Sequence, residues 1–214
     1  MKTNALIAVF LAILAFAAVL PVAAFEWPLS SEGIREAYFV GKMDGQRRAA
    51  VFEKYTLRPP MPMTGPSVTI LVETPFVVIA ENISQRVSNY FSPDALQEYV
   101  DKPVAFRVRA EIDVPSGLSE GRGQVLLSPE DSPSDYTIRL FQDQGQDRDK
   151  ELPAKSVYSW PVYNCREDGG CSFVGWGIKA RYDPAKIESE PTKVQILMPH
   201  DQRAEATIDL GALQ

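Results

Sequence analysis

Between Val104 and Val114 the chain alternates without a break: Val104, Phe106, Val108, Ala110, Ile112 and Val114 on one side, Ala105, Arg107, Arg109, Glu111 and Asp113 on the other. Successive side chains of a strand point to opposite faces, so this stretch is a half-buried strand. So clean a split belongs to an antiparallel sheet with one wet face and not to a parallel sheet covered on both sides. Ser67–Glu73 repeats the pattern with Val68, Ile70 and Val72, and the apolar run Phe76–Ala80 after Pro75 reads as its continuation as a strand. Val125–Leu127, Tyr136–Phe141, Val194–Met198 and Ala206–Leu210 add short strands separated by Pro, Gly, Ser and Asp clusters, the pattern of a sandwich or barrel. Gln142–Lys150 reads as a polar loop.

Helical periodicity is confined to the first half. Ser30 or Ser31 can cap a helix to about Met43, with Ile34, Ala37, Tyr38 and Gly41 on one face, and Asp44-Gly45 ends it. Ala49, Phe52 and Tyr55 suggest a second short helix over Arg47–Tyr55, after which Arg58–Met63 is too proline-rich for anything but an extended connector. Ile83, Val87 and Tyr90 suggest a third helix, and Ser92-Pro93-Asp94 opens a fourth. The expected fold is mainly β: an antiparallel β-sandwich with an N-terminal α-helical segment and short inserted helices, α+β when all elements are counted.

The clearest hairpin is Val157–Tyr182, two aromatic and β-branched runs around Arg166-Glu167-Asp168-Gly169-Gly170. If Cys165 faces Cys171, Tyr163 meets Phe173, Val162 meets Val174, Pro161 meets Gly175 and Trp160 meets Trp176. That register puts Tyr158, Trp160, Val162, Val174, Trp176 and Ile178 on an apolar face directed at the core. Tyr163, Phe173, Gly175, Gly177 and the cysteines then share the other face. A cross-strand disulfide favours a non-hydrogen-bonded pair, and Pro161, with no N–H to donate, marks a sheet edge.

Composition narrows the setting. Residues 1–24 carry Lys2, an apolar run and a small-residue end at Pro21-Val22-Ala23-Ala24, the form of a secretory signal peptide cleaved before Phe25. Residues 25–214 are then one secreted domain, with no cysteine placed for lipid attachment and no second apolar run long enough to span a bilayer. Export makes a Cys165–Cys171 disulfide the natural state of the two cysteines, and the five residues between them with no nearby histidine do not suit zinc. A formal net charge of −6 gives no general attraction to nucleic acid or anionic lipid.

Catalytic signatures are missing from the sequence. The single histidine, His200, stands between two expected strands and reads as a surface residue, and no serine-hydrolase, zinc-protease or phosphate-loop motif occurs. Asp143, Asp147 and Asp149 lie close together, yet they lack the spacing of a calcium loop and read as a plain acidic stretch. Asn82-Ile83-Ser84 matches a glycosylation sequon and reads as a chance match.

The sequence therefore predicts a secreted or periplasmic, non-enzymatic binding or scaffolding protein of the cell envelope, without metal or cofactor, whose partner is an envelope glycan or protein. Its expected contact surface is Pro161, Tyr163 and Phe173 with the turn residues Arg166, Glu167 and Asp168. The alternative is a secreted hydrolase acting on polysaccharide through two carboxylates facing each other across a cleft, beside exposed aromatics. A third reading has the helices dock on a partner through Ile34, Tyr38 and Phe52.

Overall fold

The computed structural model describes residues 25–61, 65–86, 93–102, 104–113, 130–144, 147–166 and 169–213. The expected leader, the strand 125–127, the helical positions 87–90, the cap at Ser92 and the turn residues Glu167 and Asp168 lie outside them. In chain order the elements are α1 (Ser31–Lys42), α2 (Gly45–Phe52), β1 (Thr56–Leu57), β2 (Ser67–Glu73), α3 (Pro75–Gln85) and α4 (Pro93–Asp101). Then follow β3 (Phe106–Asp113), β4 (Thr137–Gln144), β5 (Asp147–Leu152), β6 (Ser156–Cys165), β7 (Cys171–Tyr182), β8 (Pro191–Leu197) and β9 (Arg203–Asp209). All pairings are antiparallel, in two sheets of order β1-β2-β3-β7-β6 and β5-β4-β8-β9. The mainly β, sandwich-like fold with short helices is the one the alternation predicts. Among the described residues no helix is long and apolar enough to cross a membrane.

The two sheets meet over one core. Ile70, Val108, Ala110, Ile178 and Ala180 face Leu140, Val194 and Ile196 from the second sheet, all without solvent exposure. A smaller core joins Ile34, Ala37, Tyr38 and Val40 of α1 to Ile79, Ala80 and Ile83 of α3 and Tyr99 of α4. The apolar face of α1 is thereby covered by the chain's own helices, and the docking surface expected on Ile34 and Tyr38 is not exposed. Ser30 caps α1 by accepting from Gly33 N at 3.1 Å, as its position predicts, and Asp44, expected only to end that helix, also caps α2 by accepting from Arg47 N at 2.9 Å.

Three local expectations are corrected. Phe76–Ala80 is helix, not strand: Thr74 caps it, Pro75 occupies the first turn, and Val77, Ile79, Ala80 and Ile83 are buried. A five-residue apolar run has no period of its own, and the four-residue step from Ile79 to Ile83 decides it. This helix ends at Gln85, so Ile83 and the sequon Asn82-Ile83-Ser84 belong to it. Within Gln142–Lys150, residues 142–144 and 147–150 are paired strand and not loop: Asp149 N donates to Asp143 Oδ1 at 2.9 Å and Asp149 pairs with Lys193 at 2.7 Å. His200 sits exposed with φ 61° beside Asp201 at φ 56° in the tight β8–β9 turn.

The third correction is in the β6–β7 hairpin. Cys165–Cys171, Asn164–Ser172 and Tyr163–Phe173 pair as expected, but a β-bulge at Val174 shifts everything beyond it: Val162 meets Gly175, Pro161 meets Trp176, Trp160 meets Gly177 and Tyr158 meets Lys179. One extra residue on one strand exchanges the faces of its remaining side chains relative to the partner. Trp176 is buried at 1 % exposure with Phe173 packed edge-on at 6.4 Å, whereas Trp160 and Tyr158 lie on the outer side. The tryptophans therefore do not share a face, and Tyr163 and Phe173 belong to the core side.

Buried tyrosines tie the layers together. Tyr182 donates across the sandwich to the Ile138 carbonyl at 3.0 Å, and Tyr136 stacks on Trp176 at 4.7 Å while donating to Asp131 at 2.8 Å. Burial, followed by the Glu36 carboxylate, pushes the Tyr55 phenol up to about 12; burial likewise raises Tyr182 and Tyr136, aided by Glu151 and by Asp131 respectively. An unfolded tyrosine ionises near pH 10. Above that pH the unfolded chain holds fewer protons than the folded one, so this contribution to stability is intact below about pH 10 and is lost as pH rises towards the folded values. Each tyrosine is expected to add a slope of about −1.4 kcal/mol per pH unit there. Urea midpoints read between pH 9 and 12 with tyrosinate absorbance check this; stability unchanged to pH 11 contradicts it.

Candidate functional site

The outer face of the five-stranded sheet concentrates charge. Register aligns Glu73, Arg107, Arg181 and Ser156 in one cross-strand row, Leu71, Arg109, Lys179 and Tyr158 in the next, and Thr69, Glu111, Gly177 and Trp160 in the third. Four cations thus occupy a two-by-two block on β3 and β7, because both strands send their polar alternates to the same side. Cross-strand neighbours in such a block stand about 5 Å apart and successive same-face residues about 7 Å apart.

Glu73 anchors the block. Its side chain has no solvent exposure, and it lies 3.1 Å from Arg109, 3.5 Å from Lys179 and 3.9 Å from Arg107. Neither carboxylate oxygen makes an aligned hydrogen bond, and Arg107 Nε is also buried without a hydrogen-bond partner. The cluster is held by charge, leaving N–H donors of the cations uncommitted. Arg109 additionally bonds Glu81 of α3 at 2.7 Å. Arg181 is exposed and has no ion-pair partner among the described residues. Four cations stand against Glu73 and Glu81, with Glu111 in the next row of the same face, which leaves a local surplus of positive charge on an acidic chain.

Two depressions flank Glu73. One, of about 370 Å³, is lined by Arg107, Ser156, Tyr158, Lys179 and Arg181. The other, of about 310 Å³, lies under α2 and includes Glu53, Arg58, Leu71, Glu81, Arg109 and Glu111. In the second, Glu53 is bound by Arg58, whose guanidinium holds its carboxyl below the usual range, and Glu81 is bound by Arg109. Beside the first depression Tyr158, 66 % exposed, stacks on Trp160 with ring centroids 5.4 Å apart and planes 23° from parallel. Trp160 in turn lies flat over Gly177: a Cβ at that glycine would stand 2.3 Å from the indole Cε2. The bulge and this glycine together place the aromatic pair beside the cations.

The expected contact residues are distributed differently. Pro161 lies on β6, an edge strand, on the Trp176 side. Phe173 packs on the core, and Tyr163, 49 % exposed, leans on it at 6.0 Å. Arg166, itself exposed, donates its N–H to the Gly170 carbonyl at 2.8 Å. Cys165 and Cys171 form the expected disulfide, with Cα atoms 4.0 Å apart; so short a loop contributes about 2 kcal/mol by chain entropy. The hairpin tip is thus pinned and the aromatic–cationic surface lies farther down its opposite face. Sequence reasoning missed Arg107, Arg109, Lys179, Arg181 and Glu73; the available signal was the polar alternation in Val104–Val114 and again in Gly177–Tyr182. Compared with protein-family models, with curated proteins and with solved structures, the chain matches none.

Proposed function

We propose that this is an exported, non-enzymatic binding protein of the cell envelope whose contact surface is the outer face of the five-stranded sheet and whose ligand is anionic. The carrying observation is the block of Arg107, Arg109, Lys179 and Arg181 around one buried carboxylate, with donors left over and an exposed aromatic pair alongside. A positive patch on a chain of net charge −6 attracts anions locally while the remaining surface repels them, which favours one site over diffuse adsorption. Export rests on the form of residues 1–24 and agrees with a disulfide. The pairing of Glu53 with Arg58 favours binding over hydrolysis, since a carboxylate held ionised by a guanidinium is a poor proton donor to a glycosidic oxygen.

Inorganic sulfate tests the anionic character without presuming the ligand. Sulfate is expected to raise the melting temperature, with an effect that shrinks when 0.5 M sodium chloride screens the patch, and Arg181→Gln is expected to weaken the effect several-fold. Equal stabilisation of the native protein and the variant at every salt concentration would remove the outer face from consideration.

A further inference from the structure

From the pairing of Tyr158 with Lys179 we infer that the ligand is an acidic sugar chain, a ring stacking on the open face of Tyr158, which Trp160 backs, and its carboxylates meeting Lys179, Arg181 and Arg107; this rests on the reading of the outer face as an anion-binding surface. Tyr158 and Lys179 are direct cross-strand partners, so a flat aromatic face and an ammonium group stand side by side. A uronic acid has the matching pair: a pyranose face of C–H groups that packs on a π surface, and a carboxylate on the ring edge. Stacking requires a platform that does not move aside. The indole is seated over Gly177, where any side chain would collide with it, and Tyr158 rests on the indole with most of its surface open. Ser156, in the same depression, offers a hydroxyl to sugar hydroxyls. The cations continue along β7 from Lys179 to Arg181 and across to Arg107, so charge is met at more than one ring.

Other polyanions fit less well. An acidic peptide binding to a sheet takes main-chain hydrogen bonds from a free edge. Here the cations lie on β3 and β7, both paired on either side, and the edge strand β6 carries Pro161, which has no N–H. An anionic membrane would ask for exposed aliphatic side chains beside the cations, and the groups lining this depression are Arg107, Ser156, Tyr158, Lys179 and Arg181.

Calorimetry on the mature protein with a galacturonate tetrasaccharide, a neutral xylotetraose, a glutamate decapeptide and sulfate separates these. The uronate is expected to bind at least tenfold more tightly than either the neutral sugar or the peptide. Tyr158→Ala, at a position exposed enough to leave the fold intact by circular dichroism, is expected to weaken uronate binding at least tenfold and sulfate binding much less, whereas Arg181→Gln weakens both. If the peptide binds as tightly as the uronate, or Tyr158→Ala leaves uronate affinity unchanged, the sugar assignment falls while the anion-binding surface stands. If sulfate, uronate and peptide all fail to bind at low salt, both fall.

Discussion

Replacing Glu73 with glutamine is expected to weaken the fold and strengthen the site at once. The carboxylate is fully buried among Arg107, Arg109 and Lys179, so its removal takes the counter-charge from Arg107 and Lys179 and leaves Arg109 with Glu81 alone. Deleting one partner of a buried ionic cluster costs about 3–5 kcal/mol, and the lower end applies because these cations are about a quarter exposed and can recruit water and ions, at 23, 27 and 28 %. The same change removes the negative charge that competes with any incoming anion, and affinity is expected to rise about tenfold. Urea denaturation and calorimetry read the two effects separately. Added sulfate should restore more stability to Glu73→Gln than to the native protein, since a ligand stabilises by RT ln(1 + [L]/Kd) and the variant has the smaller Kd. A variant that loses stability without gaining affinity would mean that Glu73 is structural only.

The second large effect is at Gly175. Its φ is +155° and an added Cβ would stand 1.8 Å from the Ile112 carbonyl oxygen on β3. That atom is backbone, so no rotamer change relieves the contact; Gly175→Ala must part β3 from β7 or move the bulge. A loss of about 3 kcal/mol or more is expected in urea denaturation, with Trp176 fluorescence moving toward that of an exposed indole. Because the bulge holds Trp160 and Tyr158 on the outer face, anion binding should weaken in the same variant. A loss below 1 kcal/mol would show that the hairpin tolerates a different register.

What the sequence discloses depends on whether a feature is local. The alternation of Val104–Val114 gave β3 and its wet face because period two is readable from one segment, and Cys165 with Cys171 fixed the hairpin tip because proximity in the chain left little choice. The faces beyond the tip were not readable. Uninterrupted alternation paired Trp160 with Trp176, whereas a single extra residue at Val174 turned one tryptophan inward and the other outward. Gly175 and Gly177 flanking Trp176 were the available hint, since glycine within a strand marks a bulge or a close approach, and here they mark one of each. The cationic block escaped notice for another reason. Arg107 and Arg109 are roughly seventy positions from Lys179 and Arg181 in the chain, and only the pairing of β3 with β7 joins them. Glu73 looked like one carboxylate among many until its burial set it apart.

Nuclear magnetic resonance on uniformly ¹⁵N-labelled protein, titrated with the galacturonate tetrasaccharide at low salt, reads the binding surface directly. Saturable shifts are expected at Arg107, Ser156, Tyr158, Lys179 and Arg181 and at the Trp160 indole N–H, with the Trp176 indole little changed. Shifts centred instead on Tyr163, Arg166 and Phe173, or no saturable shift on the outer face, would contradict its assignment as the binding surface.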